Sequence, residues 1–120
     1  MEKITMDNLL LYLSQFIGTE QYYRNFTGIV YTDGIKAMAE KVQAFWLIDL
    51  IGSVQKGELP CKLDFQLWTL SVKDKKATIT CRQDKDEPIL YSQAIEYTNF
   101  PEGKIEFYVQ NDVLFLPSEY

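Results

Sequence analysis

The chain has 120 residues, enough for one domain whose core needs no disulfide or metal staple. Its 47% hydrophobic and 14% aromatic content excludes disorder, and a net charge of −5 disfavours direct contact with phosphate backbones. It contains no histidine, which removes Ser-His-Asp and Cys-His catalysis and every histidine-bearing zinc site.

The chain divides into a helical front and a stranded back. Thr5 is placed to cap a first helix running to about Ile17, with Leu9, Leu10, Leu13, Phe16 and Ile17 at helical spacing and Gly18 ending it. Thr19 then caps an expected short helix from Glu20 to about Phe26, with Tyr22, Tyr23 and Phe26 on its aromatic face. Gly28–Tyr31 reads as a connector. From about Asp33 to Gln55 the spacing predicts the longest helix, with Ile35, Met38, Ala39, Val42, Phe45, Trp46 and Asp49 on one side. Gly52 is its weak point, Lys56-Gly57 stops it, and Pro60 prevents its resumption.

After Pro60 the hydrophobic period changes to two. Phe65–Val72 and Ala77–Arg82 flank Lys73-Asp74-Lys75-Lys76, a hairpin turn. Trp68, Leu70 and Val72 share one face, while Phe65 and Leu67 fall out of phase, as a bulge or a late strand start would produce. Further strands are expected from about Ile89 to Tyr97, interrupted near Ser92, then over Ile105–Gln110 and Val113–Leu116. The fold class this implies is α+β: helices over about 5–56 packed on one face of an antiparallel sheet of four to five strands over about 61–117, all within a single domain, 1–120. With no secretory leader after Met1-Glu2-Lys3 and no apolar run of membrane-spanning length, the expected location is cytoplasmic, with Cys61 and Cys81 as reduced thiols.

The residue that most needs an explanation is Asp49, an acid inside the apolar run Ala44–Ile51. An unpaired buried carboxylate is too costly to keep, so it needs hydrogen-bond donors, a cation or a raised pKa. Two roles follow. Asp49 reads either as a structural anchor that accepts from Tyr22, Tyr23, Arg24 or Trp68 or, with Asp33, Glu20 or Glu96, as part of a pocket that does acid–base or ligand chemistry. Arg24 is the one arginine in the first eighty residues, hence its expected planar partner. Tyr22, Tyr23 and Arg24 are also residue types suited to gripping another protein. Asp33, in Tyr31-Thr32-Asp33-Gly34, reads most simply as a helix start. No glycine-rich phosphate loop and no four-thiolate metal set occurs, so no cofactor and no metal is expected.

Charge is unevenly placed. From Asp86 to Tyr120 there are seven acids against one base, Lys104, whereas Lys73 to Lys85 holds five bases against two acids. This reads either as two solvated faces or as an acidic strip, Glu96, Glu102, Glu106 and Asp112, that docks on a basic partner. The last strand, Val113–Leu116, either completes the sheet or, at an edge, recruits a partner strand.

Gly18-Thr19-Glu20-Gln21-Tyr22-Tyr23-Arg24, Val30-Tyr31-Thr32-Asp33-Gly34, Phe45-Trp46-Leu47-Ile48-Asp49, Phe65-Gln66-Leu67-Trp68, Ile95-Glu96-Tyr97-Thr98 and Leu116-Pro117-Ser118-Glu119-Tyr120 stand in that order. In these motifs, from about Leu13 to Tyr120, the chain resembles a family of small proteins of unknown function found in bacteria, phages and other mobile elements. The resemblance carries no activity, cofactor or catalytic residue; it implies an accessory protein of mobile DNA. With the charge placement it points to a non-enzymatic module that binds a host protein. The concrete form is an inhibitor of a host defence system, anti-CRISPR-like, whose acids compete for the basic groove of a nuclease. The alternatives are a small enzyme or ligand-binding domain using Asp49 with Tyr22, Tyr23 and Arg24, and a homodimeric scaffold joined through the last strand.

Overall fold

A computed structural model describes residues 4–57 and 63–120, so Pro60 and Cys61 lie outside the described residues. Helix α1 (Met6–Leu13) begins as its sequence dictates: Thr5 Oγ1 accepts the Asn8 amide at 3.2 Å, and Asp7 sits at the positive end of the helix dipole. It ends at Leu13, a turn before Ile17.

The expected helix at 20–26 is instead a strand, β1 (Tyr22–Arg24), paired antiparallel with β2 (Val30–Thr32). The turn between them explains the difference. Asn25 accepts the Thr27 amide on its side chain at 2.7 Å and the Gly28 amide on its carbonyl at 2.9 Å, and Gly28 takes a φ of +98°. That is turn chemistry, and it closes a hairpin that two adjacent tyrosines favour. Thr19, read as a helix cap, uses its hydroxyl to accept the Asp33 amide at 2.9 Å.

Helix α2 (Asp33–Val42) and helix α3 (Phe45–Gln55) replace the single long helix. Gln43 adopts the left-handed conformation at φ 53°, and the Ala44 amide reaches back to the Ala39 carbonyl at 2.8 Å, as at a glycine-terminated helix. No glycine or proline marks the break, so periodicity runs across it.

Strands β3 (Phe65–Lys73), β4 (Lys76–Arg82), β5 (Ile89–Ile95), β6 (Gly103–Gln110) and β7 (Val113–Phe115) complete the sheet, followed by a 3-10 turn at Pro117–Glu119. Asp74 and Lys75, like Asn111 and Asp112, both have positive φ, the pattern of two-residue hairpin turns. The strand order is β1-β2-β7-β6-β3-β4-β5. The expected antiparallel sheet of four to five C-terminal strands is therefore corrected. Among the described residues the fold is α+β with three α-helices and a seven-stranded mixed sheet. Two strands come from the N-terminal part, and β2 runs parallel to β7.

One face of the sheet carries the core. Trp68 is paired with Cys81 and Phe107, and Leu70 with Ile79 and Ile105, so these side chains project together beneath Leu9, Leu13, Ile35, Met38, Leu47, Ile48 and Ile51 of the helices. Phe65 and Leu67 point to the other face. There Phe65 packs on Tyr108 at 4.9 Å between ring centres, Tyr108 on Phe115 at 5.7 Å, and Phe115 on Tyr120 at 5.8 Å. This satellite cluster, and no bulge in β3, accounts for the out-of-phase residues. The irregularity lies instead between Cys81 and Arg82, opposite the start of β5, which runs through Ser92 without a break.

Candidate functional site

Three of the sequence motifs converge on the N-terminus of α2. The Asp33 carboxylate accepts the Glu20 amide at 2.9 Å, the Gln21 amide at 3.3 Å and the Tyr23 hydroxyl at 3.0 Å. These donors, the Glu20 amide first, hold its carboxyl below the ordinary range, and donation to Asp33 raises the Tyr23 phenol. On the same turn Glu119 accepts the Thr32 hydroxyl at 2.6 Å, the Gly34 amide at 3.1 Å and the Leu116 amide at 3.0 Å. Gly34 permits this approach, because a Cβ there would stand 2.6 Å from Leu116 Cδ1 and 2.7 Å from Glu119 Oε1. The positive end of α2 thus already holds an anion supplied by the chain's own C-terminal segment. The surrounding groove of about 650 Å³, lined by Phe16, Tyr23, Asp33, Lys36 and Glu40, is shallow, with the Lys36 ammonium 5.3 Å from the Tyr23 ring centre.

Asp49 is half-buried and lies elsewhere. Asn25 Nδ2 donates to its Oδ1 at 2.6 Å, fastening the tip of the β1–β2 hairpin to α3. One turn on, Thr27 and Ile29 press against Gly52. At the end of the helix, Gln55 and Gln66 exchange two amide bonds of 2.7 Å, and Gln66 also accepts Trp68 Nε1 at 2.8 Å. Three of the four expected donors to Asp49 act on other groups: Arg24 donates to the Gly28 carbonyl at 3.0 Å, Tyr23 to Asp33, and Trp68 to Gln66, while Tyr22 is exposed on β1. The role of Asn25 is not legible in the sequence, because its Asx turn is visible only once the hairpin is known.

Asp49 also borders an open groove of about 740 Å³ between α3 and β5, lined by Trp46, Leu50, Ser53, Val54, Tyr91, Gln93 and Ile95 among others. Among the described residues Asp49 is the charged one in that lining. Trp46, Leu50, Val54, Tyr91 and Ile95 are partly buried side chains packed against the core, so the groove is a half-covered flank of it. Strand β5 forms the wall and is the last strand of the sheet order. Its seven residues, Ile-Leu-Tyr-Ser-Gln-Ala-Ile, include no charge and no proline. Pro88 and the irregularity at Cys81/Arg82 affect its first residues alone. The sequence points to Asp49 but not to its β5 wall, because nothing in a strand's own residues tells an edge from an interior position.

The remaining expected residues are dispersed. Tyr22 is exposed on β1, 62% accessible, and Arg24 lies two residues further on the same strand. Glu102 accepts the Asp74 amide at 2.7 Å, Glu106 projects from mid-β6 opposite Thr69, and Asp112 sits in the β6–β7 turn. Glu102, Glu106 and Asp112 are strung along roughly 27 Å of β6 and its ends, whereas Glu96 follows β5, three places away in the strand order, so the four acids do not form one strip. Tyr22, Tyr23 and Arg24 do not meet Asp49 in one pocket. The last strand lies between β2 and β6 and pairs with both, so it offers no edge for a second copy. Among the described residues no helix is long and apolar enough to cross a membrane, and no group of three or more Cys, Asp and Glu side chains is arranged to hold a metal.

The resemblance seen from Leu13 onward extends further: residues 7–120 match the model described as Family of unknown function (DUF6876), and the chain belongs to that family. No curated protein and no solved structure matches it.

Proposed function

We propose that this member of the DUF6876 family is a non-enzymatic protein-binding module that takes an extended segment of its partner along β5. The observation that supports this reading is the uncharged seven-residue edge strand with a half-covered apolar groove beside it. An unpaired strand edge presents a row of amides and carbonyls, and proteins that do not use such an edge commonly guard it with charges or proline. The opposite edge, β1, is only three residues long and ends in Arg24.

In its finer form the reading is that of a mobile-element accessory protein acting in the cytoplasm on a host defence protein, as an anti-CRISPR does. Its acids then meet the basic surface of a nuclease around the strand-addition site. Of the acids named from sequence, Glu96 directly follows β5, while Glu102, Glu106 and Asp112 contribute to the general negative field. Tyr22, Tyr23 and Arg24 would be a separate contact on the far edge.

The test is affinity capture of the tagged protein from its host, with Ser92→Pro as the β5 variant, checked for folding by circular dichroism. A partner enriched in stoichiometric amount and lost with Ser92→Pro supports strand addition. The same partner retained by a folded Ser92→Pro, but lost when Glu102, Glu106 and Asp112 are reversed, moves the binding surface to β6.

A further inference from the structure

The character of the groove narrows what the added strand must be, and this step rests on the strand-addition reading above. We infer that the occupant is an extended basic segment of the partner, with one lysine or arginine side chain lying against Trp46 and Tyr91 and paired with Asp49. In an added strand, alternate side chains would face the same side as Tyr91, Gln93 and Ile95, which line the groove with α3. Among the described residues the groove is mainly apolar, with Ser53 and Gln93 as neutral polar lining and one charge, the Asp49 carboxylate, which stands with Asn25 on one of its oxygens. An ionised carboxylate has about four acceptor positions, so Asn25 leaves acceptors for a cation. Two aromatic side chains in the same lining suit the cation's flanks, and arginine best of all because it stacks and forks together.

Charge around the strand is mixed. Asp84, Asp86 and Glu87 approach it and Glu96 follows its end, while Lys85, Arg82 opposite Ile89 and Lys76 beside the partner of Ile95 balance them. The charge that favours a basic occupant is therefore Asp49 in the groove itself. A second copy of this chain is a poorer occupant. Antiparallel pairing of two β5 strands about Ser92 would bring no base to either Asp49, since β5 has none, and would set Glu96 one step from the copy's Glu87.

The experiment uses the intact protein and a fluorescein-labelled, end-capped peptide, Lys-Thr-Val-Thr-Arg-Thr-Val-Thr-Lys, read by fluorescence anisotropy. Its Val and Arg side chains share one face of a strand. Replacing the central Arg by Gln is expected to weaken binding about tenfold. Asp49→Asn, which keeps the side-chain shape, is expected to bring the Arg and Gln peptides to equal affinity. Methylating alternate peptide amides, in the two possible phases, should abolish binding in one phase. A Gln peptide that binds the native protein within twofold of the Arg peptide overturns the cation inference and leaves strand addition standing, as does an Arg/Gln ratio unchanged in Asp49→Asn. Binding that survives both methylation phases, or no binding of any peptide up to about 1 mM, overturns strand addition and this inference together.

Discussion

Replacing Gly52 by alanine sets two physical rules against each other. Helix propensity favours the change, because alanine inside a helix is worth about 1 kcal/mol over glycine. Packing opposes it. A Cβ at 52 would overlap Thr27 Oγ1 and approach Ile29 Cγ2 to 2.9 Å, closer than real Cβ contacts come, and would stand 3.0 Å from Thr27 Cβ, tighter than most. Both neighbours are buried, Thr27 at 8% and Ile29 at 3% accessibility, and Thr27 sits in a loop fastened at Asn25. Neither can swing aside as a flexible surface side chain would. Overpacking costs about 1–3 kcal/mol, and an overlap this close with two buried neighbours belongs in the upper part of that range, about 2–3 kcal/mol, so after the propensity gain the net loss is about 1–2 kcal/mol. For a chain of this size that lowers Tm by about 4–8 °C. Urea unfolding should show the midpoint fall with an unchanged slope. The double variant Gly52→Ala with Thr27→Ala should be less destabilised than the sum of the singles, because both act on one contact. A Gly52→Ala protein as stable as the parent, or more so, would mean that the hairpin does not bear on α3 as described.

Other outcomes follow from the same geometry. Glu119→Ala removes the acceptor of three bonds at the start of α2 and should cost about 2–3 kcal/mol in urea unfolding; a change under about 0.5 kcal/mol would contradict the clasp. Asp33, whose folded pKa is depressed, adds stability that is present above its unfolded value of about 3.9 and is lost as pH falls through the folded value below it. Thermal melts from about pH 5 downward should therefore fall less steeply for Asp33→Asn than for the parent, and equal slopes would refute this. Burial pushes the Cys81 thiol up to about 12, so in a Cys61→Ser background an aromatic disulfide reagent near pH 8 should label it only on unfolding. Labelling of the native protein at the rate of a free thiol would disprove that burial.

Local chemistry was legible where it acts within a few residues. Thr5 as a cap, the Asp74-Lys75 turn, the Asn111-Asp112 turn and the alternation of Trp68, Leu70 and Val72 are all set by neighbours in sequence. What was not legible depended on distant partners. Thr19 and Glu20 carry a helix-start signal, yet their hydroxyl and amide are taken by Asp33, more than ten residues away. Gln43 ends a helix without glycine because the turn into α3 and the burial of Ala44 outweigh the local cost of a left-handed residue. Val30–Thr32, three residues long, becomes a strand only because β1 and β7 flank it. Of the candidate site, Asp49 stood out by its chemistry, whereas its neighbours across the groove could not be named before β5 was known to be an edge.

The placement of Asp49 explains how one residue can be both anchor and site. At about 100° per residue, positions 49, 52 and 55 step around one side of α3, and there the helix is fastened: Asn25 at Asp49, the Thr27–Ile29 loop at Gly52, and Gln66 at Gln55. Positions 46, 50, 53, 54 and 57 fall on the adjoining side, and these line the groove against β5. Asp49 stands on the boundary between the two. One carboxylate oxygen is held by the hairpin, and the side chain still borders the groove. Fastenings spaced over the last seven of its eleven residues set its height above the sheet, so α3 is kept from sinking onto Tyr91 and Ile95 and closing the groove. A rigid, half-covered channel with one fixed carboxylate loses little freedom when a strand enters it, which is the condition under which a short extended segment binds usefully. It also means that loosening the hairpin, as Gly52→Ala does, should weaken peptide binding without altering a single groove residue.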